Sequence, residues 1–189
     1  MMRIITGKAR GVRLETKEGD STRPTSERAK EAVFSMLQFE LEDRRVLDLF
    51  AGSGQLGLEA VSRGAKSAVL VDSSREAADV IQRNANKTRL APDCEVFCSD
   101  ASAFLRSCRG KRRFDLVFLD PPYAGGLLPS CLQSLLESGS LAEGGLIVTE
   151  SGSPADVFGG DEDLERSFEI QKQNKYGIAY VTVLKKRVV

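Results

Sequence analysis

From Arg45 onward the chain alternates apolar runs of strand length with stretches of helical periodicity, and only a small set of folds accommodates that alternation. The runs are "RVLDLF", "SAVLVD", "CEVFCSD", "FDLVFLD" and "GLIVTES", followed by "SFEIQKQ" and "AYVTVLKK". Strands separated by helices read as right-handed crossovers in a doubly wound, parallel sheet. The intervening segments carry helix punctuation. In "GQLGLEAVSRG", Gly64 suits the position just past a helix. Ser73 stands three residues before Glu76, the spacing of a capping box. Ala101, Phe104, Leu105 and Cys108 give a third helix one apolar face, and Leu128, Cys131, Leu132, Leu135 and Leu136 give a fourth the same. The last two runs are joined by "NKYG", which is turn chemistry, so an antiparallel hairpin is expected at the sheet edge. The expected architecture is α/β: a Rossmann-like, seven-stranded, mostly parallel sheet with a C-terminal antiparallel hairpin.

The N-terminal part reads differently. "RIITG" and "GVRLET" are short strand-like pieces, and after the turn-rich "KEGDSTRPT" the residues Ala29, Ala32, Val33, Met36 and Leu37 recur at helical spacing, with Thr25 as the expected N-cap. The expected division is a small β extension and lead-in helix over residues 1–43 and the main domain over 44–189.

Two omissions narrow the chemistry. The chain has no histidine, so Ser-His-Asp and Cys-His machinery are excluded and proton handling falls to carboxylates, Lys, Tyr or solvent. The four cysteines, at 94, 98, 108 and 131, form no CxxC pair; reduced structural thiols and no metal are expected. Arg3, Lys8 and Arg10 interrupt the first apolar segment, which has neither the h-region of a signal peptide nor the length of a membrane span. The expected location is cytoplasmic. Net charge is zero, with 27 basic and 27 acidic residues, but Arg3, Lys8, Arg10 and Arg13 cluster without an acid, as do Lys172, Lys175, Lys185, Lys186 and Arg187. A polyanionic partner is permitted locally.

The first strand runs into "DLFAGSGQLGLEA", where Gly52, Gly54 and Gly57 satisfy GxGxxG and Asp72 ends the next strand. That is the spacing of a dinucleotide fingerprint, in which the loop approaches a ligand and the acid accepts ribose hydroxyls. Three features choose among nucleoside cofactors. Asp48, inside the end of the first strand, suits an ammonium and is poorly placed for a pyrophosphate. Asp100, ending the third strand, is available to the exocyclic amine of adenine, to the N-terminus of the following helix, or to both. A hydride-transfer enzyme would usually call on an acid/base residue, and histidine is unavailable. S-adenosylmethionine fits all three, although GxGxxG alone leaves NAD formally open.

The fourth strand ends in "LDPPY". Two prolines cannot continue a central strand, so the chain stops on Asp120 at the edge where ligands bind in open α/β sheets. An exocyclic amine of a base is a poor nucleophile, because its lone pair is delocalised into the ring. Asp120 and the Pro121 carbonyl can each accept one of its N–H groups, Pro121 and Pro122 hold the angle, and Tyr123 offers a stacking face. A base inside a helix cannot reach such a site, so the target must be flipped out or unpaired.

"DPPY" resembles the amino-methyltransferase motif (D/N)PP(Y/F), shared by DNA adenine-N6, RNA guanine-N2 and protein glutamine methyltransferases. Over essentially its whole length the chain resembles the RsmD-type 16S rRNA (guanine-N2)-methyltransferases, in "MRIITGKARGVRL", "RPTSERAKEAVFSML" and "VLDLFAGSGQLGLEAVSRGA". The resemblance implies the class I S-adenosylmethionine-dependent methyltransferase fold and transfer of one methyl group to N2 of a guanine in 16S rRNA. The substrate it implies is a partly assembled small subunit with bound ribosomal proteins, worked on by a monomer without a membrane. It places Asp120, Pro121, Pro122 and Tyr123 in catalysis. Asp48, Phe50, Gly52, Gly54, Asp72, Asp100 and Ala101 line the cofactor, with S-adenosylhomocysteine as product, and Arg3, Lys8, Arg10, Arg13, Arg23 and Arg28 face RNA. The motif ends here in Tyr where several relatives have Phe. The alternative kept open is DNA adenine-N6 methylation by the same chemistry, against which 189 residues leave little room for a separate recognition domain. A binding protein with a vestigial loop is a third reading.

Overall fold

The structure, a computed structural model, describes residues 2–16, 24–122 and 126–187, and in 24–28 the backbone alone. Helix α1 (Pro24–Met36) leads into strand β1 (Arg45–Asp48), α2 (Gln55–Ser62), β2 (Ser67–Asp72), α3 (Arg75–Lys87), β3 (Cys94–Cys98), α4 (Ala101–Cys108) and β4 (Phe114–Leu119). Helix α5 (Leu127–Ser138), β5 (Leu141–Ser151), α6 (Glu162–Ser167), β6 (Phe168–Tyr176) and β7 (Ala179–Lys186) complete it.

All seven strands form one sheet in the order β3-β2-β1-β4-β5-β7-β6. The first five are parallel, and β7 runs antiparallel to both β5 and β6. The direction of the crossovers reverses between β1 and β4, which is where an open sheet of this kind opens a ligand crevice at the carboxyl ends of its strands.

Residue alternation divides the core between the two faces. Val46, Leu116, Phe118 and Val148 pack with α1, α2, α3 and the N-terminal segment, through Phe34, Leu58, Ile81 and Ile4. Leu47, Val117, Leu119 and Ile147 pack with α4, α5 and α6, through Phe104, Leu132 and Leu164. Strands β1 and β4 are apolar toward both faces because both are covered by helices.

Several local expectations need correction. Helix α3 is capped by Ser74, whose hydroxyl accepts the Ala77 N–H at 3.3 Å, one residue later than the Ser73 spacing suggests. Helix α1 begins at Pro24, so Thr25 lies inside it; proline suits a first helical position, where no N–H is needed. The β6–β7 turn falls at Gly177 and Ile178, and "NKY" continues β6. Helix α6 is capped by Asp161, whose carboxylate accepts the N–H groups of Asp163 and Leu164. Of the expected β extension, a single bridge between Arg3 and Arg13 forms among the described residues. Cys98 is exposed, unlike the buried Cys108 and Cys131, and all four cysteines are free thiols.

The N-terminal segment is held by buried charge. Glu59 on α2 is fully buried and accepts the N–H groups of Ile5 and Thr6 at 2.7 and 3.0 Å. Its carboxylate also faces Lys30 of α1 at 3.6 Å and Arg63 at 2.8 Å. The Lys30 ammonium donates to the Arg3 carbonyl. One carboxylate thus fixes the extension and the lead-in helix to the sheet. Among the described residues no helix is long and apolar enough to cross a membrane, and no group of acids and cysteines is arranged to hold a metal ion.

Candidate active site

The glycine loop is tied to the end of β2 by backbone N–H groups. Ala51 donates to the Val71 carbonyl at 2.9 Å, and Gly52 donates to Asp72 Oδ2 at 2.9 Å. Asp72 Oδ1 accepts from Ser74 at 2.9 Å. Gly52 and Gly54 both adopt left-handed backbone, with φ of 56° and 81°, which is what permits the tight turn. A side chain on Gly52 would meet open space, so the loop presents bare backbone on its outer side. From behind, the Asn84 amide donates to the Ser53 carbonyl at 2.8 Å.

Gly57 has a different task. A Cβ there would lie 2.8 Å from Leu70 Cδ2 and 3.4 Å from Asp48 Cβ, so its lack of a side chain lets α2 close onto β1 and β2. Its N–H is committed to Asp48 Oδ2 at 2.9 Å. Asp48 is 1% exposed, and its Oδ1 is buried without a hydrogen-bond partner. Burial pushes this carboxyl up to about 7, against the Gly57 bond and with the help of the Asp72 charge. An orphaned buried acceptor at the carboxyl end of β1 fits a ligand that carries ammonium donors.

Asp100 caps α4, with Oδ1 accepting the Ala103 N–H at 2.9 Å; the capping role is realised, and a carboxylate has acceptor capacity for more than one donor. Ala101 opens α4 beside it, and Phe50 is half-buried after β1.

Asp120 directly follows β4, Pro121 is buried and Pro122 exposed. Burial, the Glu150 charge and the Asp48 charge, in that order, raise the Asp120 carboxyl well above the usual carboxylate range. Tyr123 lies outside the described residues. So does Arg23, and so does the side chain of Arg28. Among the other basic candidates, Arg3 and Arg13 pair across the N-terminal turn. Met2, next to Arg3, accepts from the Ser53 hydroxyl of the glycine loop at 2.8 Å. Lys8 instead donates its backbone N–H to Ser62 at the far end of α2, and Arg10 lies in the same turn. The structure therefore brings Arg3 and Arg13 toward the glycine loop and sets Lys8 and Arg10 about one helix length away.

The sequence reading did not single out Glu150. The signal was present: "GLIVTES" places an acid at the end of a strand, as "RVLDLF", "SAVLVD" and "FDLVFLD" do.

The family model described as conserved hypothetical protein 95 matches residues 2–185. This chain belongs to that family, the RsmD family. The ribosomal RNA small subunit methyltransferase D of Escherichia coli K12 is 39% identical to this RsmD-type chain over 150 residues, covering 79% of it and 74% of the relative. The solved structure of yhhF from Escherichia coli aligns with a TM-score of 0.85 at 31% identity, covering 100% of this chain and 99% of that one. SMU.776, solved with S-adenosylhomocysteine, shares the fold alone, with a TM-score of 0.70 at 14% identity over 82% of this chain and 48% of that one. The fold is that of the S-adenosylmethionine-dependent methyltransferases, this RsmD-type chain is such an enzyme, and S-adenosylmethionine is its cofactor.

Proposed function

We propose that this enzyme transfers a methyl group to the exocyclic N2 of a guanine in 16S rRNA, acting as a cytoplasmic monomer on assembling small subunits with bound ribosomal proteins. The relative named ribosomal RNA small subunit methyltransferase D supports an RNA acceptor. The observation that carries the chemistry is the position of Asp120, at the end of β4 and within electrostatic reach of Asp48 at the end of the neighbouring β1.

Asp48 Oδ1 holds the cofactor's ammonium, Asp72 its ribose hydroxyls, and Asp100 with the Ala101 backbone its adenine, while Phe50, Gly52 and Gly54 shape the loop around it. When bound, S-adenosylmethionine supplies a methyl group already activated by its sulfonium charge. The protein's part is alignment and charge. The Asp120 carboxylate and the Pro121 carbonyl each accept one N–H of the amine, which turns the nitrogen lone pair out of conjugation and toward the methyl carbon. Asp120, whose raised affinity for protons suits it to receive one, would take up the proton that the amine loses in exchange for the methyl group. Pro122 stiffens the turn, and Tyr123 is assigned the stacking face. Residues 1–43, with Arg3, Lys8, Arg10, Arg13, Arg23 and Arg28, form the RNA-facing extension of the 44–189 catalytic domain.

The test is direct. Small subunits and genomic DNA from a strain lacking the gene, each incubated with the enzyme and tritiated S-adenosylmethionine, are expected to take label only into 16S rRNA, at one guanine. Label confined to DNA would overturn the assignment and favour adenine-N6 chemistry.

A further inference from the structure

We infer that Glu150 selects the base, its carboxylate accepting the ring N1–H of guanine beside the amine that Asp120 orients. The inference rests on the reading of the acceptor as guanine N2 and extends it by naming the group that distinguishes guanine from adenine.

Strands β4 and β5 are parallel neighbours with Leu119 paired to Thr149. Asp120 and Glu150 are the next residues on each, so they stand side by side at a strand spacing of about 4.8 Å. Residue alternation carries both onto the face of Phe118 and Val148. Asp48 lies on that face as well, two residues after Val46 on β1. From β2 to β5 the edge therefore presents four acids in order: Asp72, Asp48, Asp120 and Glu150. The first two flank the glycine loop on the cofactor side, and the unpartnered buried Oδ1 of Asp48 marks that side as built for donors. Glu150 lies on the opposite side of Asp120. With Pro121, Pro122, Leu128 and Ala155 it lines a cavity of about 210 Å3 beside the turn that follows Asp120.

Asp120 and the Pro121 carbonyl do not distinguish bases, because any exocyclic amine offers two N–H groups. The adjacent ring nitrogen does distinguish them. In guanine, N1 next to the amine carries a hydrogen; in adenine, N1 next to the amine is a bare lone pair. A carboxylate there attracts the first and repels the second. The charge of Glu150 is felt at Asp120, and two acids this close are relieved when donors of one base lie against both. A carboxylate has about four acceptor positions, so this contact is compatible with others that Glu150 makes.

The test uses the full chain and two small-subunit particles assembled with ribosomal proteins on 16S rRNA, one with guanine at the mapped target position and one with 2,6-diaminopurine there. The analogue keeps the C2 amine but has a bare N1. The wild type is expected to prefer guanine by about 100-fold or more in kcat/KM, because a site built for a donor is left unpaired by the analogue. In Glu150→Gln, whose amide can donate to a bare N1, guanine turnover is expected to fall and the preference to shrink to within about tenfold. Affinity for S-adenosylhomocysteine should stay within about twofold, and Glu150→Asp should retain the guanine preference. A wild-type preference preserved in Glu150→Gln, or absent from the wild type, overturns the role of Glu150. A wild type that methylates neither particle overturns the acceptor assignment and this inference with it.

Discussion

Gly57 donates its backbone N–H to Asp48 Oδ2 at 2.9 Å, while the other oxygen of the same carboxylate is buried without a partner. The third glycine of the loop thus does more than let α2 approach the sheet. It fixes the rotamer of Asp48 so that one oxygen is left for a ligand. Asp48→Asn should therefore weaken S-adenosylhomocysteine binding by about 10- to 100-fold, the range expected for losing a charged hydrogen bond, with little loss of thermal stability. Calorimetric titration and a melting curve check both parts.

The same pair makes a steric prediction. In Gly57→Ala the new methyl meets Leu70 at 2.8 and 3.0 Å, and Leu70 is fully buried. The clash should cost about 1 to 3 kcal/mol, against which the gain in helix propensity of at most about 1 kcal/mol is too small. Denaturant unfolding should show a net loss, and cofactor binding should weaken along with it as Asp48 shifts.

Proton linkage follows from burial. Asp48 titrates at about 7 in the folded chain against 3.8 ordinarily. The folded state then binds a proton that the unfolded state releases over that interval. The stabilisation from this site is full below the ordinary carboxylate range and is lost as pH rises to about 7. Asp48→Asn should flatten that part of the stability profile. Because an ammonium favours the ionised form, S-adenosylhomocysteine binding just below neutral pH should release protons, which calorimetry in buffers of different ionisation enthalpy will detect.

What the sequence made legible was local. Gly52, Gly54, Gly57 and Asp72 lie within one strand-helix-strand unit, so spacing alone announced the loop. The end of β4 was equally plain, because two prolines stop a ladder whatever surrounds them. The charges that hold the N-terminal segment were not legible. Lys30 and Glu59 are single charged residues on two separate helices, and only the fold shows them buried together. Glu150 was hidden for a related reason, since its place beside Asp120 depends on β5 pairing with β4. The cap at Ser74 was misplaced because adjacent serines offer the same chemistry one residue apart, and the choice between them is made by Asp72 accepting the Ser74 N–H.

Glu59 offers the clearest stability test of the non-local part. Glu59→Ala removes the acceptor for the Ile5 and Thr6 N–H groups and leaves the Lys30 ammonium buried beside an unmatched site. Breaking one side of a buried ion pair costs about 3 to 5 kcal/mol, so the variant should unfold at much lower denaturant. Glu59→Gln, which keeps an acceptor oxygen, should lose less.

Asp120 separates binding from turnover. Asp120→Ala should keep S-adenosylhomocysteine affinity, since the glycine loop and Asp48 are untouched, and lose turnover by about 100- to 10,000-fold, the range for a positioned proton-accepting group. The wild-type rate should rise with pH along a limb displaced above the ordinary carboxylate range, because burial first, then the charges of Glu150 and Asp48, raise the Asp120 carboxyl, and only its ionised form can take up the amine's surplus proton. Asp120→Asn keeps an acceptor oxygen and has no proton to lose, so it should retain measurable turnover and abolish that limb. A pH profile of single-turnover methylation for the wild type and both variants measures each of these. If the wild-type limb persisted in Asp120→Asn, it would belong to another group and Asp120 would not be the base.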